Sequence, residues 1–134
     1  MKLILITSLA IASFSITSCK KETEKEEDVA AVAIFTITTP VENQVYAFGD
    51  TVKIDATIVA DADMHGYNVR LVNLSSGMNI LNQGYHEHAK SFTVNESWKN
   101  SVTDTTQLKI ILDAAIDHEG NISTKERIIT CYPQ

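Results

Sequence analysis

From Ala33 onward the chain alternates apolar and polar residues with a period of two, not 3.6. Ile34, Thr36 and Thr38 alternate with Phe35 and Ile37 until Pro40 interrupts them. Behind the turn residues Gly49-Asp50, Val52, Ile54, Ala56 and Ile58 fall on one face of an extended chain. Tyr67, Val69 and Leu71 repeat the pattern before the turn signal Ser75-Ser76-Gly77. Leu108, Ile110 and Leu112 repeat it again, and Glu119-Gly120-Asn121 marks a tight turn between two further strands. The spacing predicts strands over 33–38, 51–60, 66–74, 78–84, 90–96, 107–116 and 122–131. No window of about 11 residues in this region carries a helical stripe.

Short strands at this density, with turns every 8–12 residues, predict an all-β domain. The architecture expected is a seven-stranded antiparallel β-sandwich, immunoglobulin/fibronectin type III-like. The Cys–Trp–Cys signature of true immunoglobulin domains is absent, because Trp98 falls after the strand predicted at 90–96. Fibronectin-like topology is therefore the better expectation.

The N-terminus follows other rules. Lys2 is a positive n-region, and residues 3–16 form an apolar stretch of signal-peptide length, too short for a stable membrane span. The stretch ends in Ile16-Thr17-Ser18-Cys19. An aliphatic residue, two small residues and Cys resemble the bacterial lipobox. The resemblance implies cleavage before Cys19 and acylation of Cys19, with palmitate among the acyl groups. The alternative is an ordinary secretory signal with an incidental Cys. Residues 1–18 are thus read as a lipoprotein signal peptide, 19–29 as a lipidated Cys and charged tether, and 30–134 as the β-sandwich domain. The tether, KKETEKEED over 20–28, has no apolar side chain to bury. A dozen flexible residues reach roughly 20 Å. The run also resembles the acid-rich segment that directs some Gram-negative lipoproteins to the cell surface, the alternative being a plain spacer. As a whole the chain resembles small Ig-like lipoproteins of Gram-negative bacteria. That resemblance implies a lipid-anchored place in the outer membrane, on its periplasmic or surface face, and no particular activity.

The formal net charge is -6. Loss of the signal removes only one charged residue, Lys2, so the remainder is more acidic still. Such a chain repels nucleic acid and anionic lipid faces, so membrane contact is expected through the N-terminal lipid alone. Acylation of Cys19 would leave Cys131 as the single thiol, with no intramolecular disulfide available. Cys131 reads as a small buried hydrophobe of the last strand, the alternative being a reactive thiol or a metal ligand.

The four histidines, His65, His86, His88 and His118, are scattered in sequence. In a sandwich of this connectivity they fall on three connections that share one end. Asp61, Asp63, Asp117, Glu87 and Glu119 are expected around them. In an extended His86-Glu87-His88 both imidazoles would face the same side and could meet one cation. Neutral imidazole suits copper, zinc and nickel, so the ligand set expected is His65, His86, His88 and His118 for copper or zinc. Carboxylates at Asp63, Glu87 or Glu119 would orient the rings through their second nitrogens. Cys131 is expected at the opposite end, which argues against a blue-copper centre; Met64 is either a soft axial ligand or core. The competing readings are polar loop residues that cap backbone groups and a pH-sensitive imidazole patch.

Other chemistry is thin. Asp117-His118-Glu119-Gly120-Asn121 could offer oxygens to calcium or form a self-satisfied turn. No Ser sits in a nucleophile elbow and no Gly-rich phosphate loop exists, so no enzymatic activity is expected. Tyr46, Phe48, Tyr85 and Trp98 could stack on a sugar, but the topology separates Tyr85 from the other three. Two functions remain: a lipid-anchored extracytoplasmic module that binds a transition metal at a histidine-lined pole, and a surface module that binds a protein or glycan with the histidines incidental.

Overall fold

The computed structural model describes residues 32–134. The expected signal peptide, the expected lipidation site Cys19 and the expected charged tether lie outside the described residues. The strands are β1 (Ile34–Thr39), β2 (Gln44–Tyr46), β3 (Thr51–Met64), β4 (Gly66–Asn73), β5 (Asn79–Tyr85), β6 (Ala89–Lys99), β7 (Thr106–Ala115) and β8 (Ile122–Cys131). They form a three-stranded sheet in the order β1-β3-β6 and a five-stranded sheet in the order β2-β8-β7-β4-β5. The fold is an all-β sandwich of the immunoglobulin/fibronectin type III-like class. The strand after β4 joins the β7 and β8 sheet as its edge, as in fibronectin modules, instead of covering β6.

The alternation read from the sequence builds the core. Val52, Ile54 and Ile58 on β3 are fully buried, and so are Val69 and Leu71 on β4 and Leu108, Ile110 and Leu112 on β7. Phe92 and Val94 on β6 and Ile129 on β8 close the layer between the sheets. Each such side chain contributes roughly 1.5–3 kcal/mol by leaving water.

Three features depart from the expectation. The first is an eighth strand. After β1 the chain crosses to the other sheet through the cis Thr39–Pro40 bond, and β2 pairs in parallel with β8, so the sandwich is not wholly antiparallel. Arg127 fastens the crossing by donating to the carbonyl of Pro40 at 2.6 Å. The second is length. β6 runs on to Lys99, so Trp98 lies on the strand and pairs opposite Val52. β3 runs on to Met64. Between the pairs Val59↔Ser91 and Met64↔Ala89, β3 takes five steps where β6 takes two. This bulge throws Asp61, Ala62 and Asp63 into solvent and returns Met64 to the core, fully buried. Met64 is therefore a core residue and not an axial ligand.

The third feature is Asn100, a buried polar residue just past β6. Its Nδ2 donates to the carbonyls of Ala47 at 2.9 Å and Tyr132 at 3.0 Å, and its Oδ1 accepts from the Val102 N–H at 3.2 Å. One side chain thus ties the segment after β2, the segment after β8 and the β6–β7 connection together.

Cys131 sits at the same end, opposite Thr106 and Tyr46 in the ladders, with no exposed surface. Burial pushes its thiol up to about 11, and the charge of Asp50 adds to the shift. The thiolate is the reactive form, so the native thiol should stay unmodified by an aromatic disulfide reagent near pH 8 and react only on unfolding. Complete modification of the folded chain on mixing would contradict this packing. Because folding raises this pKa, the protonated thiol's contribution to stability holds below pH 9 and is lost as pH rises towards 11.

Candidate metal centre

Register places the histidines. Met64 pairs with Ala89, Gly66 with Ala115, Tyr67 with Tyr85, and Ala115 with Ile122. The β3–β4 junction, the β5–β6 connection and the β7–β8 turn therefore meet at one pole. His65 is the whole junction between β3 and β4, and its N–H donates to the carbonyl of Ala115 at 2.8 Å. Gly66 makes the approach close enough. Its φ is +132°, and a Cβ there would lie 2.1 Å from the carbonyl oxygen of Tyr85. Only glycine lets the β4 start pass this near the segment that carries His86 and His88.

The β7–β8 turn presents His118. Asp117 builds it from within: Oδ1 accepts from the Glu119 N–H at 2.9 Å and the Asn121 N–H at 3.1 Å, and Oδ2 accepts from the Asn121 side-chain amide. These bonds to the ionised form hold the Asp117 carboxyl below its usual range. Both oxygens are engaged by the loop's own N–H groups, so the segment is a self-satisfied turn and not an open calcium loop.

Three imidazoles converge at this pole. The His65 and His118 ring centroids are 3.6 Å apart, His65 and His88 4.4 Å, and His88 and His118 5.7 Å. One ring nitrogen from each lies within 4.8 Å of the others. His86 stands beside them, its ring edge-on to His88 at 5.3 Å, and is not part of the converging three. The same-face rule applied to His86 and His88 presumes a strand, and residues 86–88 lie between β5 and β6 in neither.

Electrostatics suit a cation ligand. Burial, followed by the neighbouring His118, His88 and His86, lowers the pKa of His65, and Asp117 opposes this in part. A proton on His65 would cost the ring its solvation and would be repelled by any neighbouring imidazole that was also protonated, so the neutral, lone-pair form of His65 is favoured. Its Nδ1 is buried without a hydrogen-bond partner. Asp117 is the carboxylate whose charge reaches His65; Asp63, Glu87 and Glu119, expected to orient the rings, are not among the groups that shift it. Glu87 acts instead on Tyr67, together with Glu96. A zinc or copper ion with nitrogens at roughly 2.0–2.1 Å in a tetrahedral arrangement needs donor atoms about 3.4 Å apart. His88 and His118 are exposed and can rotate to close that gap. Three imidazoles would leave a fourth position open. Cys131, at the opposite pole, cannot contribute a thiolate.

Of the aromatics considered for sugar stacking, Tyr85 lies at the histidine pole and Trp98 at the opposite one, as the topology implied. Tyr85 stacks on Tyr67 with centroids 4.7 Å apart, and its hydroxyl donates to Glu96. Tyr46 is in the core. Sequence reasoning missed Gly66, whose only signal is a glycine directly after a histidine, and it missed Asn100.

No protein-family model matches this chain, and no curated protein matches it. Among solved structures it is similar to the fibronectin(III)-like modules of Clostridium thermocellum CbhA, with 15% identity and a TM-score of 0.47 over 74% of this chain and 96% of that one. It is also similar to Spo0M, a sporulation control protein from Bacillus subtilis, with 12% identity and a TM-score of 0.41 over 78% of this chain and 50% of that one.

Proposed function

We propose that this chain is a lipid-anchored, extracytoplasmic and non-enzymatic β-sandwich that binds one copper or zinc ion at its histidine pole. His65, His88 and His118 are the protein ligands, and His86 flanks them. The observation that carries this reading is the approach of three imidazole nitrogens to within 4.8 Å, each supplied by a different connection. The unpartnered Nδ1 of His65 supports it, because a buried polar atom without a partner costs free energy that a ligand can recover.

Calorimetric titration of the metal-stripped chain with Zn(II) or Cu(II) should give one equivalent bound. Affinity should fall below about pH 6, because protons compete for imidazoles whose ordinary pKa is about 6.5. His88→Ala should weaken binding by more than about a hundredfold, beyond the 10–100-fold usual for groups outside the ligand set. His86→Ala should stay inside that range. Equal affinities for the wild type and His88→Ala would leave the histidines incidental.

The lipid anchor rests on Ile16-Thr17-Ser18-Cys19. Buried acyl chains hold a protein to a bilayer by roughly 0.8 kcal/mol per CH2. Cys19→Ala should therefore abolish incorporation of labelled palmitate and release the chain from membranes. Undiminished labelling would refute the anchor.

A further inference from the structure

At the pole opposite the histidines, a cleft of about 460 Å³ opens between the free edges of β5 and β6. In a sandwich whose β1-β3-β6 sheet carried a further strand, that strand would cover this side; among the described residues none does. Trp98 from the end of β6, Ile80 from β5 and Val102 from the β6–β7 connection supply its apolar wall. The rest is hydroxyl and amide: the β4–β5 turn gives Ser75 and Ser76, and the β6–β7 connection gives Ser101, Thr105 and the carboxylate of Asp104. The volume falls within the range of small-molecule sites.

The rim is fixed before any ligand arrives. The side-chain oxygen of Asn73 accepts from the Ser75 N–H at 2.8 Å, the Ser76 N–H at 3.1 Å and the Thr106 hydroxyl at 3.2 Å. Asn100, behind the connection, accepts from the Val102 N–H and pins that loop at its base. Among the described residues no basic side chain lines the cleft, and one carboxylate does. Phosphates and carboxylates are therefore repelled. A lipid tail would leave the hydroxyl and amide half of the lining without partners. What remains complementary is an uncharged ligand with an apolar C–H face for the indole and several hydroxyls for the rim.

We propose that this cleft binds a short neutral oligosaccharide. A pyranose ring stacks against Trp98, and its hydroxyls bond to Asp104, Ser101 and Thr105. The site is independent of the metal centre and stands whether or not that centre holds an ion.

The chain has one tryptophan, so its emission reports on this cleft alone. The purified chain would be titrated with maltohexaose, cellohexaose, xylohexaose and mannohexaose, with choline and a polyuronate as charged probes. A saturable emission change is expected with at least one neutral hexasaccharide and with neither charged probe. Because Trp98→Ala removes both the reporter and part of the packing, the exposed Asp104→Asn and Ser101→Ala are the informative variants. Each should weaken binding about three- to tenfold, the worth of one hydrogen bond, with the far-ultraviolet circular dichroism unchanged. No saturable response to any hexasaccharide, a stronger response to choline or polyuronate, or binding unchanged in both variants would overturn the proposal.

Discussion

An alanine at position 66 is expected to disable the histidine pole while leaving the centre of the sandwich in place. The new Cβ would sit 2.1 Å from the Tyr85 carbonyl oxygen and 3.1 Å from the His86 Cα. Both are backbone atoms, so no side-chain rotation relieves the contact. The φ of +132° is itself hard for any residue but glycine to adopt. Strain of this kind costs about 1–3 kcal/mol before the clash is counted. Relief requires the start of β4 and the end of β5 to separate, which carries His88 away from His65. Gly66→Ala should therefore lower the denaturation midpoint and weaken metal binding at least as much as His88→Ala. Gly84→Ala is the control: its Cβ would meet only the side-chain oxygen of Asn68, at 3.6 Å, an ordinary contact. Equal stability and metal affinity in the two alanine variants would contradict the close approach at Gly66.

Asn100→Ala should cause the second large loss, at the other pole and in stability alone. The substitution strands the carbonyl of Tyr132 and the N–H of Val102 in a part-buried site, and leaves the carbonyl of Ala47 with only the Asp50 N–H. Unsatisfied buried groups cost about 1–3 kcal/mol each, with partial relief from water at the half-buried ones, so a loss of about 2–4 kcal/mol is expected in urea denaturation. Asn100→Asp separates donor from acceptor. It keeps an oxygen for the Val102 N–H but turns a second oxygen toward the carbonyls that Nδ2 now serves. It should be no more stable than the alanine variant. A loss below about 0.5 kcal/mol for Asn100→Ala would place it with ordinary surface changes and contradict its role as a tie. Metal affinity should be unchanged in both variants.

These two residues also mark where the sequence stops being legible. Val52, Ile54, Ala56 and Ile58 announce their strand because a pleated chain buries alternate residues, and period two survives in the letters. Leu108, Ile110 and Leu112 do the same. Asn100 announces nothing, since an asparagine between a strand and a loop reads as a turn until its four backbone partners are seen. β2 escapes because only Tyr46 of its three residues enters the core, and three residues carry no period. The bulge at 60–63 escapes because Asp61 and Asp63 look like the end of a strand, though the strand continues to Met64. The meeting of the histidines at one pole was legible, because it follows from the order of connections. Which three converge was not. That depends on His86 and His88 lying outside any strand and on a close approach set by Gly66, and neither leaves a mark in residue types.

The most direct test of the metal reading is the anomalous difference map of crystals of the chain grown with zinc or copper. The account predicts one strong peak at the pole formed by the β3–β4, β5–β6 and β7–β8 connections. The peak should lie roughly 2.0–2.1 Å from one ring nitrogen each of His65, His88 and His118. A peak bound only by His86 or by carboxylates elsewhere, or no peak in a map that resolves all four imidazoles, would contradict it.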